Sequence, residues 1–297
     1  MPFPSATPSP TTTSIHPATT LGPVALTVSD IAASRQFYEQ AIGLRGIDRD
    51  DGTVELTALD GRPLVVLRGD SSAPPLNRRA TGLFHLAMLF PTRIDLAFAV
   101  ARLAEARWPL DGASDHLVSE ALYLSDPDSN GIELYRDRPR DEWRYDNHGA
   151  LEMSTLPLDL RDLLGELTQA TEPQSTAPAG TTMGHVHLQV ADIGDAEAFY
   201  YGVLGFDVTV RGYPGALFVS AGGYHHHIGL NTWHSEGSGP PAPGSVGLRH
   251  YEVELPDAAE LAAVLGRVRA AGIETTDVPG GTLVRDPSGN GVLLTAR

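Results

Sequence analysis

The chain contains no cysteine. Disulfides, zinc–thiolate sites, iron–sulfur clusters and thiol nucleophiles are thereby excluded, and any metal must be held by His, Asp or Glu. No apolar run approaches the roughly 18 residues of a membrane span. The opening string MPFPSATPSPTTTSIHPA lacks the basic start and apolar core of a secretory signal. Its Pro, Ser and Thr predict a disordered tail over 1–20 in a cytoplasmic protein. Basic side chains are also scarce: 21 Lys+Arg against 37 Asp+Glu give a formal net charge of -16. Nucleic acid and anionic membranes would repel such a chain, so neither is expected as a partner. An anionic small substrate held at a local metal remains compatible with it. The 297 residues, 41% hydrophobic and 20% charged, describe a soluble globular protein of one large or two ordinary domains. Eleven histidines are available as ligands.

What the chain does contain is a repeat. LGPVALTVSDIAASRQFYEQAIGL (21–44) and MGHVHLQVADIGDAEAFYYGVLGF (183–206) share one plan. An alternating apolar run predicts a strand. An Asp (Asp30, Asp192) suits a helix N-cap. A helix with a Phe-Tyr pair follows, and a Gly (Gly43, Gly205) marks its end. TGLFHLAMLFPTRIDLAFAVARLAEA (81–106) and VGLRHYEVELPDAAELAAVLGRVRAA (246–271) share a second plan: a strand with a His at the same place, a Pro, then a helix. They close on DPDSNGIELY (126–135) and DPSGNGVLLT (286–295), whose Asp-Pro and Asn-Gly pairs are turn signals. Four modules result, at 21–70, 82–138, 183–232 and 246–297, each a strand, a helix and about three strands. They form two halves, 21–138 and 183–297, joined by a linker over 139–182 with a short helix at PLDLRDLLGEL. A single module would expose an apolar sheet face, so the modules must pair.

The βαβββ module, its Asp-capped helix with Phe-Tyr, and the DPxxNGIEL ending resemble the vicinal oxygen chelate superfamily. That group includes glyoxalase I, fosfomycin-resistance proteins, bleomycin-binding proteins and extradiol ring-cleaving dioxygenases. The resemblance covers nearly all of 21–138 and 183–297. It implies an α+β fold in which four modules pair into two eight-stranded, cup-shaped sheets with helices outside. GASDHLVSEALYLSDP and SAGGYHHHIGLNTW resemble the two-domain bacterial catechol 2,3-dioxygenases more particularly.

In that superfamily a cup takes a His from the first strand of each partner module and a Glu from one last strand. The matching first-strand positions here are Pro23, His85, His185 and His250, and the last-strand positions are Glu133 and Leu293. Pairing modules in sequence order leaves each cup short of a ligand. Pairing the second with the third gives His85, Glu133 and His185, a complete 2-His-1-carboxylate set suited to Fe(II), with Mn(II) the other candidate. Modules one and four are then left with Pro23, His250 and Leu293, a cup without a metal. His187 shares a strand face with His185 and is the alternative ligand. Glu252 and Glu254 share a face with His250 and could give a second site a carboxylate, but a solvated sheet edge is the preferred reading.

The resemblance further implies a catalytic His226 near the open coordination site, with His116 and Tyr123 hydrogen-bonding substrate oxygens. His187, His227 and Trp233 are candidate substrate contacts, although His226 and His227 point to opposite faces of a strand. The expected activity is extradiol cleavage of a catechol-type or hydroquinone-type aromatic diol with O2, by a monomer or homodimer. Two other functions fit the same fold: a glyoxalase-like isomerase or transferase, and a non-catalytic drug-sequestering protein. Histidine richness beside the metal favours oxygen chemistry.

Overall fold

The computed structural model describes residues 14–147 and 151–297. Module one comprises β1 (Thr20–Val28), helix α1 (Ile31–Phe37), β2 (Arg45–Asp48), β3 (Thr53–Thr57) and β4 (Pro63–Gly69). Module two comprises β5 (Gly82–Leu89), α2 (Arg93–Glu105), β6 (Gly112–Asp115), β7 (Ser119–Ser125) and β8 (Gly131–Asp137). The connecting segment carries a two-residue strand, β9 (Leu156–Pro157), and helix α3 (Leu160–Gly165). Module three comprises β10 (Thr182–Gln189), α4 (Ile193–Glu197), β11 (Asp207–Val210), β12 (Ala216–Ser220) and β13 (Ile228–Asn231). Module four comprises β14 (Gly247–Leu255), α5 (Ala258–Ala270), β15 (Thr276–Val278), β16 (Gly281–Arg285) and β17 (Gly291–Ala296).

The helices begin where the sequence places caps. Asp30 accepts from the Ala32 and Ala33 amides, and Asp192 accepts from the Asp195 amide. Both α1 and α4 continue into a wider π-helical turn that carries the Tyr of the Phe-Tyr pair. Gly43 closes the first at φ 89, a left-handed conformation that glycine adopts without steric cost. The Tyr38 hydroxyl reaches Asp126 at 3.3 Å in the closing turn of module two, and Tyr200 reaches Asp286 at 3.0 Å in that of module four. Each aromatic pair therefore ties its module to the next one in sequence.

The sheets pair differently. One has the order β15-β16-β17-β14-β1-β4-β3-β2 and joins modules four and one. The other has the order β11-β12-β13-β10-β5-β8-β7-β6-β9 and joins modules three and two. The first strands of the partners meet antiparallel at each centre, β1 on β14 and β10 on β5. Neither half of the sequence closes a sheet by itself, so the division at 139–182 organises the repeat and not the cups. The sheet of modules three and two has nine strands where eight are expected, because β9 adds to β6.

Within the expected tail, residues 1–13 lie outside the described residues. Residues 14–20 are packed: Ile15 is buried in the core and its amide donates to the Gly205 carbonyl. The one branched apolar side chain of that stretch gains enough by burial to order it. None of the described helices is long and apolar enough to cross a membrane.

The cup of modules one and four holds a carboxylate at a cost. Burial, with Glu254 and Glu55 nearby, pushes Glu252 up to about 7. Its contribution to stability is present below the unfolded value of 4.5 and is lost as pH rises through 7. Glu252→Gln is accordingly expected to melt a few degrees higher than the parent at pH 8 and alike at pH 4. Thermal denaturation at both pH values checks this; an equal effect at both would remove ionisation as the cause.

Candidate metal centre

Cross-strand register builds the site. His85 lies opposite His187, and Ala87 lies opposite His185, across the β5–β10 pair. On the other side of β5, Ala87 lies beside Glu133 of β8, and Glu133 lies opposite Tyr123 of β7. Directly opposed residues share a sheet face. His85, Glu133, His185, His187 and Tyr123 therefore crowd one concave surface around Ala87, whose methyl group leaves the centre open. Gly184 and Gly229 supply further room. A Cβ at Gly184 would fall 1.8 Å from the Tyr135 hydroxyl, and one at Gly229 would fall 2.9 Å from the His187 ring.

Ligand atoms of His85, Glu133 and His185 lie within 4.8 Å of one another, and all three residues are buried. Glu133 Oε2 is 3.1 Å from His85 Nε2 and 3.3 Å from His185 Nε2. Burial alone would raise the Glu133 carboxyl, but His185 and His85 outweigh it and hold the group well below the usual carboxylate range. Burial lowers His185 to about 4 against the pull of Glu133. At neutral pH the pair thus carries an ionised carboxylate beside a neutral imidazole. An uncompensated buried charge is costly unless it is paired or coordinates a metal. His85 Nε2, despite its closeness to Glu133, has no hydrogen-bond partner. Two imidazoles and a carboxylate converge with a lone pair unclaimed, and this donor set fits a divalent transition metal.

The remaining histidines divide by position. His116 Nδ1 is 2.7 Å from the Ser154 carbonyl and therefore carries the proton; its Nε2 accepts from the Tyr123 hydroxyl at 2.6 Å. Burial, then the Glu133 charge, raises Tyr123 well above its ordinary value, so it remains a donor. His225 Nε2 is 2.9 Å from Asp137 Oδ1, and His225 Nδ1 is 2.8 Å from His226 Nδ1. With an Nε2 proton held toward Asp137, His225 Nδ1 accepts from His226 Nδ1–H. His226 is then left with Nε2 as its basic nitrogen. Burial, then His185 and His225, lowers His226 well below its ordinary value, so it is uncharged at neutral pH, with Nε2 free of a proton.

A cavity of about 290 Å3 joins these groups. His85, Glu133, His185, His187, His116, Tyr123 and His226 line it, together with Phe84, Phe218, Tyr213 and Trp233. The His187 ring packs 5.0 Å from that of His85 and 5.3 Å from Trp233; it stands beside the ligand cluster and outside it. Trp233 sits at the rim, 41% exposed, its indole N–H on the Pro214 carbonyl. His227 is not brought to the cavity. Its Nδ1 accepts from the Ala221 amide and it borders a different pocket, so the expected substrate contact there is corrected. Both residues precede β13 and lie outside it, and there their side chains part, His226 to this cavity and His227 to the other pocket. In the other cup no second ligand group forms among the described residues, and Leu293 is buried in place of a carboxylate.

Two contributors were not anticipated. Asp137 and His225 orient His226, and the signal for Asp137 was the period-2 face of Glu133, Tyr135 and Asp137. Met153, Ser154 and Thr155 of the connecting segment also line the cavity, carried there by the pairing of β9 with β6. A two-residue strand leaves no periodicity to read.

A family model described as the Glyoxalase/Bleomycin resistance protein/Dioxygenase superfamily matches residues 20–134 and 182–294. The chain belongs to that superfamily. It is 46% identical over 278 residues to the catechol-2,3-dioxygenase of Bacillus subtilis (strain 168), covering 93% of this chain and 96% of that protein. Its fold is shared with a putative dioxygenase from Bacillus subtilis subsp. subtilis str. 168. That structure has a TM-score of 0.63 and 14% identity, covering 97% of this chain and 86% of the other. Glyoxalase I from Zea mays has it too, with a TM-score of 0.56 and 14% identity over 94% and 92% of the two chains.

Metal binding tests the pairing of modules. His85→Ala and Glu133→Ala are each expected to lose bound Fe(II), whereas His250→Ala retains it, by metal analysis after anaerobic loading. Adding Fe(II) anaerobically should also raise the melting temperature, by about 2.7 kcal/mol of stabilisation at a hundred times Kd. That shift should vanish in Glu133→Ala.

Proposed function

We propose that the chain is an extradiol dioxygenase that opens an aromatic diol with O2 at a mononuclear Fe(II). The carrying observation is the meeting of His85, Glu133 and His185 in one cavity with a neutral, oriented His226 and the His116–Tyr123 pair. The name of the 46% identical relative supports the same chemistry. Ferrous iron held by the three ligands would supply open positions for both diol oxygens and for dioxygen, and would lower the pKa of the diol.

The protein's own groups account for the rest. His226 Nε2 takes a hydroxyl proton from the entering diol, and the His225–Asp137 chain steadies the resulting imidazolium. Tyr123 donates to a substrate oxygen, and His116 behind it fixes the direction of that hydroxyl. Phe84, Phe218 and Trp233 sandwich the ring and exclude water. Both atoms of O2 enter the product, whose ring opens beside the diol to leave a carboxylate at one end and a carbonyl at the other. His226 returns its proton to the product.

The cavity volume lies at the small end for ligand sites, which favours a single ring. Among the described residues Glu133 is its only acidic side chain, and no arginine lines it. Exposed Arg78 and Arg79 belong to a neighbouring cavity that meets it at Phe84, His85 and Tyr123. An uncharged catechol is therefore the preferred substrate over one with a ring carboxylate.

Purified Fe(II) protein should consume oxygen with catechol and form a yellow ring-fission product; no uptake across a panel of catechols and hydroquinones would sink this reading. His226→Ala should lower kcat by roughly 10²–10⁴-fold, the span of a lost general base, while keeping its iron. Unchanged turnover in that variant would remove His226 from the chemistry.

A further inference from the structure

The cup without metal ligands has a composition of its own. A Cβ at Gly131 would fall 2.1 Å from the Phe84 carbonyl and 3.1 Å from the His85 Cβ; one at Gly291 would fall 2.5 Å from the Arg249 carbonyl and 3.1 Å from the His250 Cβ. Ser125 pairs with Gly131 and Tyr123 with Glu133, as Arg285 pairs with Gly291 and Leu283 with Leu293. Register therefore places Arg249 where the metal cup has Phe84, Arg285 where it has Ser125, and Leu293 where it has Glu133. The second cup has exchanged metal ligands and an aromatic wall for guanidinium groups.

Arg68, Arg249, Arg285 and His250 line one cavity of about 470 Å3. The chain contains no lysine, so arginine provides all 21 basic side chains, against 37 acidic ones. In so acidic a protein, three arginines on one concavity would ordinarily be matched by carboxylates. Here the nearest is Asp51, 4.0 Å from Arg68. Asp70 also lines the cavity, but its Oδ1 accepts from the Ser72 amide and hydroxyl. Arg285 donates from Nη1 to the Gly289 carbonyl, and Arg249 makes no side-chain hydrogen bond or ion pair among the described residues. Glu55, Glu252 and Glu254 border a separate cavity with Arg62. The cations are close enough to feel one another: burial and then Arg68 lower Arg249, while burial and then Arg249 and Arg285 lower His250 to about 4.

We propose that this second cup is a binding site for a small oxyanion, a carboxylate or phosphate group, held by Arg68, Arg249 and Arg285. Guanidinium forks match either group with paired charge-assisted hydrogen bonds, and an anion between them removes their mutual repulsion. Its three arginines belong to the other sheet from the metal centre, although Gly82, Leu83 and Gln189 of the metal-centre sheet also border the cavity, and the proposal does not depend on the dioxygenase reading.

Calorimetric titration of the full chain with inorganic phosphate, and separately with succinate, tests it, with thermal protection as a second readout. At least one probe should bind saturably at millimolar concentration, and which one does so distinguishes the two chemistries. Arg249→Met should weaken that binding roughly ten-fold or more, the loss of one bidentate charged contact, with Fe(II) uptake unchanged. Arg285→Met, on an exposed strand position, should weaken it in the same direction. Absence of saturable binding and protection by both probes, or affinity unaltered in both variants, would overturn the proposal.

Discussion

The antiparallel register of β5 on β10 is the constraint on which the rest of the molecule depends. It places His85 opposite His187 and Ala87 opposite His185, so ligands from the two halves of the sequence arrive on one face. Glu133 reaches that face because β8 runs parallel to β5 with Glu133 beside Ala87. A slip of one residue would turn every one of these side chains to the opposite face. The geometry of the centre is thus a property of strand pairing and not of any loop. Sites built on paired strands hold their groups more closely than sites on loops do.

That register also creates an electrostatic demand. Glu133 stays ionised in a buried place because two imidazoles face it, and burial keeps His185 neutral. An ionised Glu133 beside a neutral His185 is a charge that a divalent cation would offset. The same burial keeps His226 uncharged and Tyr123 protonated on the same cavity wall. One physical condition, exclusion of water from a small histidine-rich cup, prepares the ligands and the proton-transfer groups together.

Much of this was legible in the sequence because the repeat could be aligned with itself. Four βαβββ units, Asp caps at Asp30 and Asp192, and closing turns at Asp126 and Asp286 are local signals with local causes. Pairing of the second with the third module was legible only through chemistry: His85, Glu133 and His185 complete a ligand set, and no sequence-order pairing does. Less could be read where a residue acts through contacts distant in the chain. His225 gains its role from Asp137, 88 residues away, and Ser154 holds His116 from a segment with almost no regular structure. His227 shows the opposite case, a residue of the right type beside the right neighbour on the wrong face. Ile15 lay inside a stretch whose composition reads as tail, and its docking on a module three loop has no local signature.

The two cups differ in a few aligned side chains on one scaffold. Cross-pairing means that each sheet needs both halves of the chain, while Tyr38–Asp126 and Tyr200–Asp286 tie together modules that lie in different sheets. Sheets link the modules one way and these hydroxyl–carboxylate contacts link them another, so the four units form a closed ring of interactions. Such a ring holds the architecture even when one cup changes its lining. The replacement of Glu133 by Leu293, and of Phe84 by Arg249, at equivalent register positions then alters what a cup can bind without altering how it folds. A cup loaded with histidine and a cup lined with arginine can share a backbone because the residues that make the backbone are not the ones that differ.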